Sequence, residues 1–131
     1  MNLPKMKFLH LGLISVSLSA CGSGDSAKND APISGESVYN RCKVCHSLSA
    51  DEVGGIGPNL RNIMGASIAG RSDYQYSQAL SSKGGTWDDA AMDKFLKSPQ
   101  GFASGTRMSF AGLKKPEERA AIIAYLKQQA D

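Results

Sequence analysis

Cys42-Lys43-Val44-Cys45-His46 sets two thiols three residues apart, with an imidazole directly behind the second. On a helical turn that spacing brings both sulfurs to one side of the chain and the ring beside them. A dithiol redox centre belongs in a βαβ setting, and no strand-like alternation flanks this cluster. Zinc wants four ligands, but the only histidines are His46 and His10, and His10 falls in an N-terminal segment expected to be removed. A structural disulfide would use the thiols and leave His46 without a purpose. Covalent haem attachment uses all three groups. The thiols add to two vinyl groups at one edge of the macrocycle, and Nε2 of the adjacent histidine reaches the iron.

Upstream, Lys5 and Lys7 precede a mostly apolar stretch from Phe8 to Leu18, too short to cross a bilayer comfortably. It ends in Leu18-Ser19-Ala20-Cys21, which looks like the lipobox of a bacterial lipoprotein; the plainer reading is an ordinary signal peptide with a stray thiol, or an uncleaved anchor. The expectation is a signal peptide over 1–20, cut before Cys21, and a lipid anchor on Cys21. Two or more acyl chains hold a protein on a membrane where one does so only marginally. Residues 22–33 are small, polar and aperiodic, so 21–33 is expected to be a lipidated cysteine with its tether, and 34–131 the folded domain. Loss of 1–20 takes away Lys5 and Lys7 and no acid, leaving thirteen basic residues against twelve acidic. A balance that even gives no footing for nucleic acid.

The domain reads as helices joined by glycine-rich loops, all-α in class. Ser34 caps a first helix with Glu36 in its first turn and Val38 and Tyr39 on its apolar side. Gly54, Gly55, Gly57 and Pro58 mark a loop. A short helix is expected from Tyr74 to Ser81. Thr86 with Asp89 makes a capping-box-like start for a helix carrying Met92, Phe95 and Leu96 at helical spacing, stopped at Ser98-Pro99. Pro99 to Phe110 shows neither helical nor strand periodicity and is expected to be irregular. Pro116, Glu117 and Glu118 open a last helix, with Ile122, Ile123, Tyr125 and Leu126 on its buried side. A chain of 131 residues with few aromatics is expected to draw on a metal, disulfides or a cofactor to complete its core.

With His10 removed, His46 is the sole histidine, so a second histidine ligand is excluded. Three methionines of the domain remain as candidates for the second axial position. Met92 sits at core spacing on a helix, Met64 follows Gly57-Pro58-Asn59-Leu60, and Met108 lies in an aperiodic loop with Gly105 before it. Spacing favours the loop methionine and leaves all three open.

The stretch from Gly35 to Gln129 resembles class I cytochrome c, in its mitochondrial-type branch. The matching residues, in family order, are Cys42-x-x-Cys45-His46, Gly57-Pro58-Asn59-Leu60, Tyr76, Trp87, Gly105-Thr106-x-Met108-x-Phe110-Ala111-Gly112-Leu113 and Ala124-Tyr125-Leu126-Lys127. The resemblance implies helices wrapped around one covalent haem c, with large irregular loops. It implies Met108 as the distal ligand and the Pro58 carbonyl as acceptor of the His46 Nδ1–H. It also implies Tyr76 and Trp87 on a haem propionate, Phe110 against the haem on the Met108 side, and first and last helices crossing at Gly35. The activity implied is one-electron carriage outside the cytoplasm, without catalysis, between partners such as a quinol-oxidising complex and a terminal oxidase. A haem peroxidase or gas-binding cytochrome, and a fixed subunit of a larger oxidase, are the competing roles. Arg41, Arg107, Lys114 and Lys115 match a basic ring about the haem edge in relatives, which would suit an acidic partner. Three departures stand out. Phe95 occupies a position where relatives often have Tyr. Ala66 stands where an Arg often balances the propionates, with Arg71 as a candidate replacement. No lysine lies between Pro99 and Phe110 to displace Met108 as pH rises.

Overall fold

A computed structural model describes residues 31–131, which form one compact unit. The expected signal peptide, the lipidated Cys21 and the tether as far as Asp30 lie outside the described residues. Five α-helices follow in order: α1 (Gly35–Tyr39), α2 (Gln78–Ser81), α3 (Asp89–Lys97), α4 (Pro99–Phe102) and α5 (Pro116–Lys127). The one β feature among the described residues is an isolated antiparallel bridge between Ser67 and Thr86.

Ser34 caps α1 as expected, its Oγ accepting the Ser37 N–H at 3.0 Å. The helix lasts five residues, then tightens into successive turns. Cys42 and Lys43 donate to the Tyr39 carbonyl at 2.7 and 3.0 Å, and Cys45 and His46 both donate to the Cys42 carbonyl at 3.0 Å. The two thiols are therefore carried on a wound turn. α1 crosses α5 at Gly35, where an added Cβ would lie 2.3 Å from the Ala121 carbonyl oxygen and 2.4 Å from Tyr125 Cβ. A residue without a side chain is required for that approach. Beside it the rings of Tyr39 and Tyr125 pack with centroids 5.6 Å apart.

Three expected boundaries move. α2 begins at Gln78, not Tyr74, because Ser77 Oγ accepts the Leu80 N–H, while Tyr74 and Tyr76 pack edge-on at 4.9 Å ahead of it. The cap of α3 is Asp88, whose Oδ1 accepts the Ala91 N–H at 2.7 Å; Thr86 is instead taken up in the bridge to Ser67. The stretch expected to be irregular opens with α4, a single turn capped by Ser98 with Pro99 at its first position. α5 starts at Pro116 with Glu117 and Glu118 in its first turn and Lys127 in its last, in keeping with the helix dipole.

Candidate haem-binding site

The core is built around a hollow. Leu80, Trp87, Met92, Phe95, Leu96 and Ile122 are buried, yet each also forms part of the wall of one cavity of about 240 Å³. Cys42, Cys45, His46, Pro58, Tyr76, Trp87, Met108 and Phe110 all line it. Met92 lines it too from α3, buried as a core residue, whereas Met64 packs against the core away from that wall.

His46 is held on every side. Its Nδ1 lies 2.7 Å from the Pro58 carbonyl oxygen, which can only accept, so Nδ1 carries the proton and Nε2 keeps its lone pair. Gly57 lies flat against the ring: an added Cβ would sit 2.4 Å from Cε1. The Gly57 N–H bonds the Cys45 carbonyl at 2.8 Å, and the Tyr39 hydroxyl donates to the His46 carbonyl at 2.8 Å. Burial pushes the His46 pKa below its ordinary value, partly offset by the bond to Pro58, so the imidazole is neutral at physiological pH and ready to ligate. Cys42 and Cys45 are free thiols; burial raises the Cys42 pKa, with Arg41 opposing. Asn59, fully buried, fixes the intervening loop through its amide, donating to the Ser49 and Glu52 carbonyls at 2.7 Å each.

Met108 is half-buried and bracketed. Upstream, the Gln100 side chain of α4 donates to the Thr106 carbonyl at 2.8 Å and accepts the Gly105 N–H at 3.1 Å. Downstream, Leu113 N–H bonds the Leu96 carbonyl at 2.8 Å, an approach that needs Gly112, whose φ is +90° and whose Cβ would lie 2.2 Å from the Lys97 oxygen. Gln100 escaped sequence reading because nothing in the spacing marked α4. Met108 therefore stands on a loop pinned at both ends to the α3–α4 region.

Burial raises the Tyr76 pKa, keeping its phenol protonated and able to donate; the Arg71 backbone N–H opposes the shift. Trp87 packs its ring on Phe95 and Phe102 at 4.9 and 5.7 Å. Arg71 is engaged by Asp73 through both Nε and Nη2, at 2.9 and 2.6 Å. Of the four residues of the basic ring, Arg41 pairs with Glu118 at 2.8 Å, Arg107 donates to the Gln75 carbonyl, and Lys114 donates to the Ala111 carbonyl at 2.8 Å. Lys115 is the N-cap residue of α5.

These residues fit a haem. Two free thiols on one turn, a neutral imidazole with Nε2 unprotonated, a thioether and an apolar hollow meet in one place, and Gly57 leaves room for the ring of His46. Comparison with known proteins agrees. The Cytochrome c family model matches residues 33–130. Cytochrome c2 of Rhodomicrobium vannielii is 37% identical over 128 residues, covering 95% of this chain and 98% of the relative. A cytochrome c homolog of Rickettsia typhi is 46% identical over 93 residues, 71% of this chain and 53% of the relative. Among solved structures, cytochrome cH from Methylobacterium extorquens superposes with a TM-score of 0.66 at 38% identity, covering 72% of this chain and 94% of the other.

Proposed function

The chain belongs to the class I cytochrome c family, and from that premise we propose that it carries single electrons between redox proteins outside the cytoplasm, with His46 and Met108 as the axial ligands of its haem. As a family member it is an electron-transfer protein with one covalently attached haem c, and not an enzyme. Bound there, the haem supplies a one-electron iron couple whose reduced state a thioether ligand favours.

The chain's own residues do the rest. Cys42 and Cys45 fasten the cofactor, and Pro58 and Gly57 fix the plane and tautomer of His46. Gln100 and Gly112 keep the Met108 loop in register. Leu80, Phe95 and Leu96 exclude water from the wall. Tyr76 and Trp87 are suited to donate to the propionates, and Phe110 to cover the Met108 side. The observation that carries the reading is that the domain's sole histidine and its loop methionine line the same apolar cavity. The oxidised protein should show a far-red sulfur–iron charge-transfer band and the reduced protein should not bind carbon monoxide. Met108→Ala should lose the band and gain carbon monoxide binding. Carbon monoxide binding by the unaltered protein would favour a ligand-binding or peroxidatic role instead.

Donor and acceptor are proposed by family analogy as a quinol-oxidising complex and a terminal oxidase or similar partner. Membrane attachment is proposed through lipid on Cys21, supported by the Leu18-Ser19-Ala20-Cys21 sequence; no helix among the described residues is long and apolar enough to cross a membrane. Intact mass of the membrane-extracted protein tests both attachments: a haem increment on the domain and acyl increments at an N-terminal Cys21.

A further inference from the structure

One side of the cavity mouth is unusually apolar. Val44, Val53 and Ile56 are 74%, 71% and 77% exposed, while the other exposed large hydrophobic among the described residues, Ile33, reaches only 39%. Single exposed aliphatics need no explanation, but here one lines the cavity, one stands between two cysteines that line it, and one lies three residues before the first on the same loop. Val44 stands between the two attachment cysteines. Ile56 belongs to the cavity wall, and the bond from Gly57 N–H to the Cys45 carbonyl sets it beside Cys45. The loop that carries Val53 and Ile56 is fastened: Asn59 holds the Glu52 carbonyl at 2.7 Å, and the Tyr74 hydroxyl donates to the Ile56 carbonyl at 3.0 Å. The patch is thus preformed.

Its charge is close to cancelled. Arg41 is ion-paired to Glu118, and along the segments that carry the three aliphatics the sequence sets Lys43 against Asp51 and Glu52. A strongly charged partner gains little on such a surface, whereas an uncharged apolar one gains the burial of three aliphatic side chains. We propose that Val44, Val53 and Ile56 form the contact face for a redox partner that presents an uncharged, apolar surface at its own electron-exchange site, and that association there is insensitive to salt. This deepens the carrier reading and rests on it. It replaces the acidic partner that a basic ring would call for.

Voltammetry of the holoprotein on gold electrodes tests the proposal, comparing an uncharged methyl/hydroxyl-terminated monolayer with a carboxylate-terminated one from low to high salt. The expected result is an adsorbed one-electron wave on the uncharged layer that persists at high salt. The Val44→Ser/Val53→Ser double variant should lower coverage there by about tenfold or more, and leave the wave on the carboxylate layer unchanged. Lys43→Glu should leave coverage of the uncharged layer as it is. A wave found only on the carboxylate layer and lost with salt would overturn the proposal, as would unaltered coverage by the double variant. Absence of a one-electron wave on both layers would overturn the carrier reading itself.

Discussion

Gly57 shows how one residue sets the chemistry of its neighbour. With no side chain it lets the His46 ring lie against the backbone while the next carbonyl, Pro58, accepts the hydrogen bond from the ring Nδ1–H. A methyl 2.4 Å from Cε1 must push the ring or the loop aside. Gly57→Ala is therefore expected to lower holoprotein stability by about 2–4 kcal/mol and to shift the reduction potential, checked by denaturant titration and voltammetry. Asp73 gives a pH dependence. Its bond to Arg71 holds its pKa below the ordinary 3.8, so the folded state binds this proton less readily than the unfolded state. The resulting stabilisation is fully present above 3.8 and is lost as pH falls through the lower folded value. Asp73→Asn should consequently flatten the acid limb of a stability–pH profile while leaving its shape at neutral pH alone. At the alkaline end, the stretch from Pro99 to Phe110 offers no lysine to compete for iron. The far-red band is expected to persist through mildly alkaline titration, and its early loss would show that another residue displaces Met108.

At the scale of elements, the α1–α5 crossing depends on Gly35. Five residues of helix cannot stand alone, so α1 exists because it packs on α5. Gly35→Ala forces backbones apart against Ala121 and Tyr125 and should cost about 2–4 kcal/mol in chemical denaturation. The same rotation would disturb Tyr39, whose hydroxyl holds the His46 carbonyl, so the damage should reach the haem spectrum as well as the stability. Sequence legibility divides at this scale by length. α5 announced itself through Pro116, the acidic first turn and the spacing of Ile122, Ile123 and Leu126, all of which repeat over enough turns to be seen. α4 has four residues, barely one turn, so no periodicity could betray it, and with it went the role of Gln100. Thr86 and Asp88, two residues apart, are both good caps for α3, and a tertiary contact, the bridge from Ser67 to Thr86, decides between them.

Across the whole molecule, Arg119 ties together α5, α3 and the chain that returns from Met108. It is buried, donating through Nε to Asp93 at 2.6 Å and through Nη1 to the Leu113 and Lys114 carbonyls at 3.0 Å each. Asp93 is 42% exposed, so water screens that ion pair, and the two carbonyl bonds carry more of the stabilisation. Asp93→Asn should cost less than about 1 kcal/mol, whereas Arg119→Ala, which orphans both carbonyls and empties the space, should cost about 3 kcal/mol or more; paired denaturation curves decide this. Nothing in the sequence distinguished this arginine from the solvated ones, since its partners are main-chain atoms set by the fold. Around the cavity, by contrast, Cys42, Cys45 and His46 are legible because a covalent cofactor demands particular atoms in a particular order, whereas Pro58, Tyr76, Trp87, Met108 and Phe110 are expected only through the family resemblance. The hollow core has one last consequence. Leu80, Trp87, Phe95 and Ile122 belong both to the core and to the wall of the cavity, so a macrocycle held there would be part of the apolar interior. Haem attachment is then expected to stabilise the fold, and a cell short of haem is expected to clear the chain by proteolysis. Steady-state abundance, followed by immunoblot as haem synthesis is throttled, would register cofactor supply much as a gauge does.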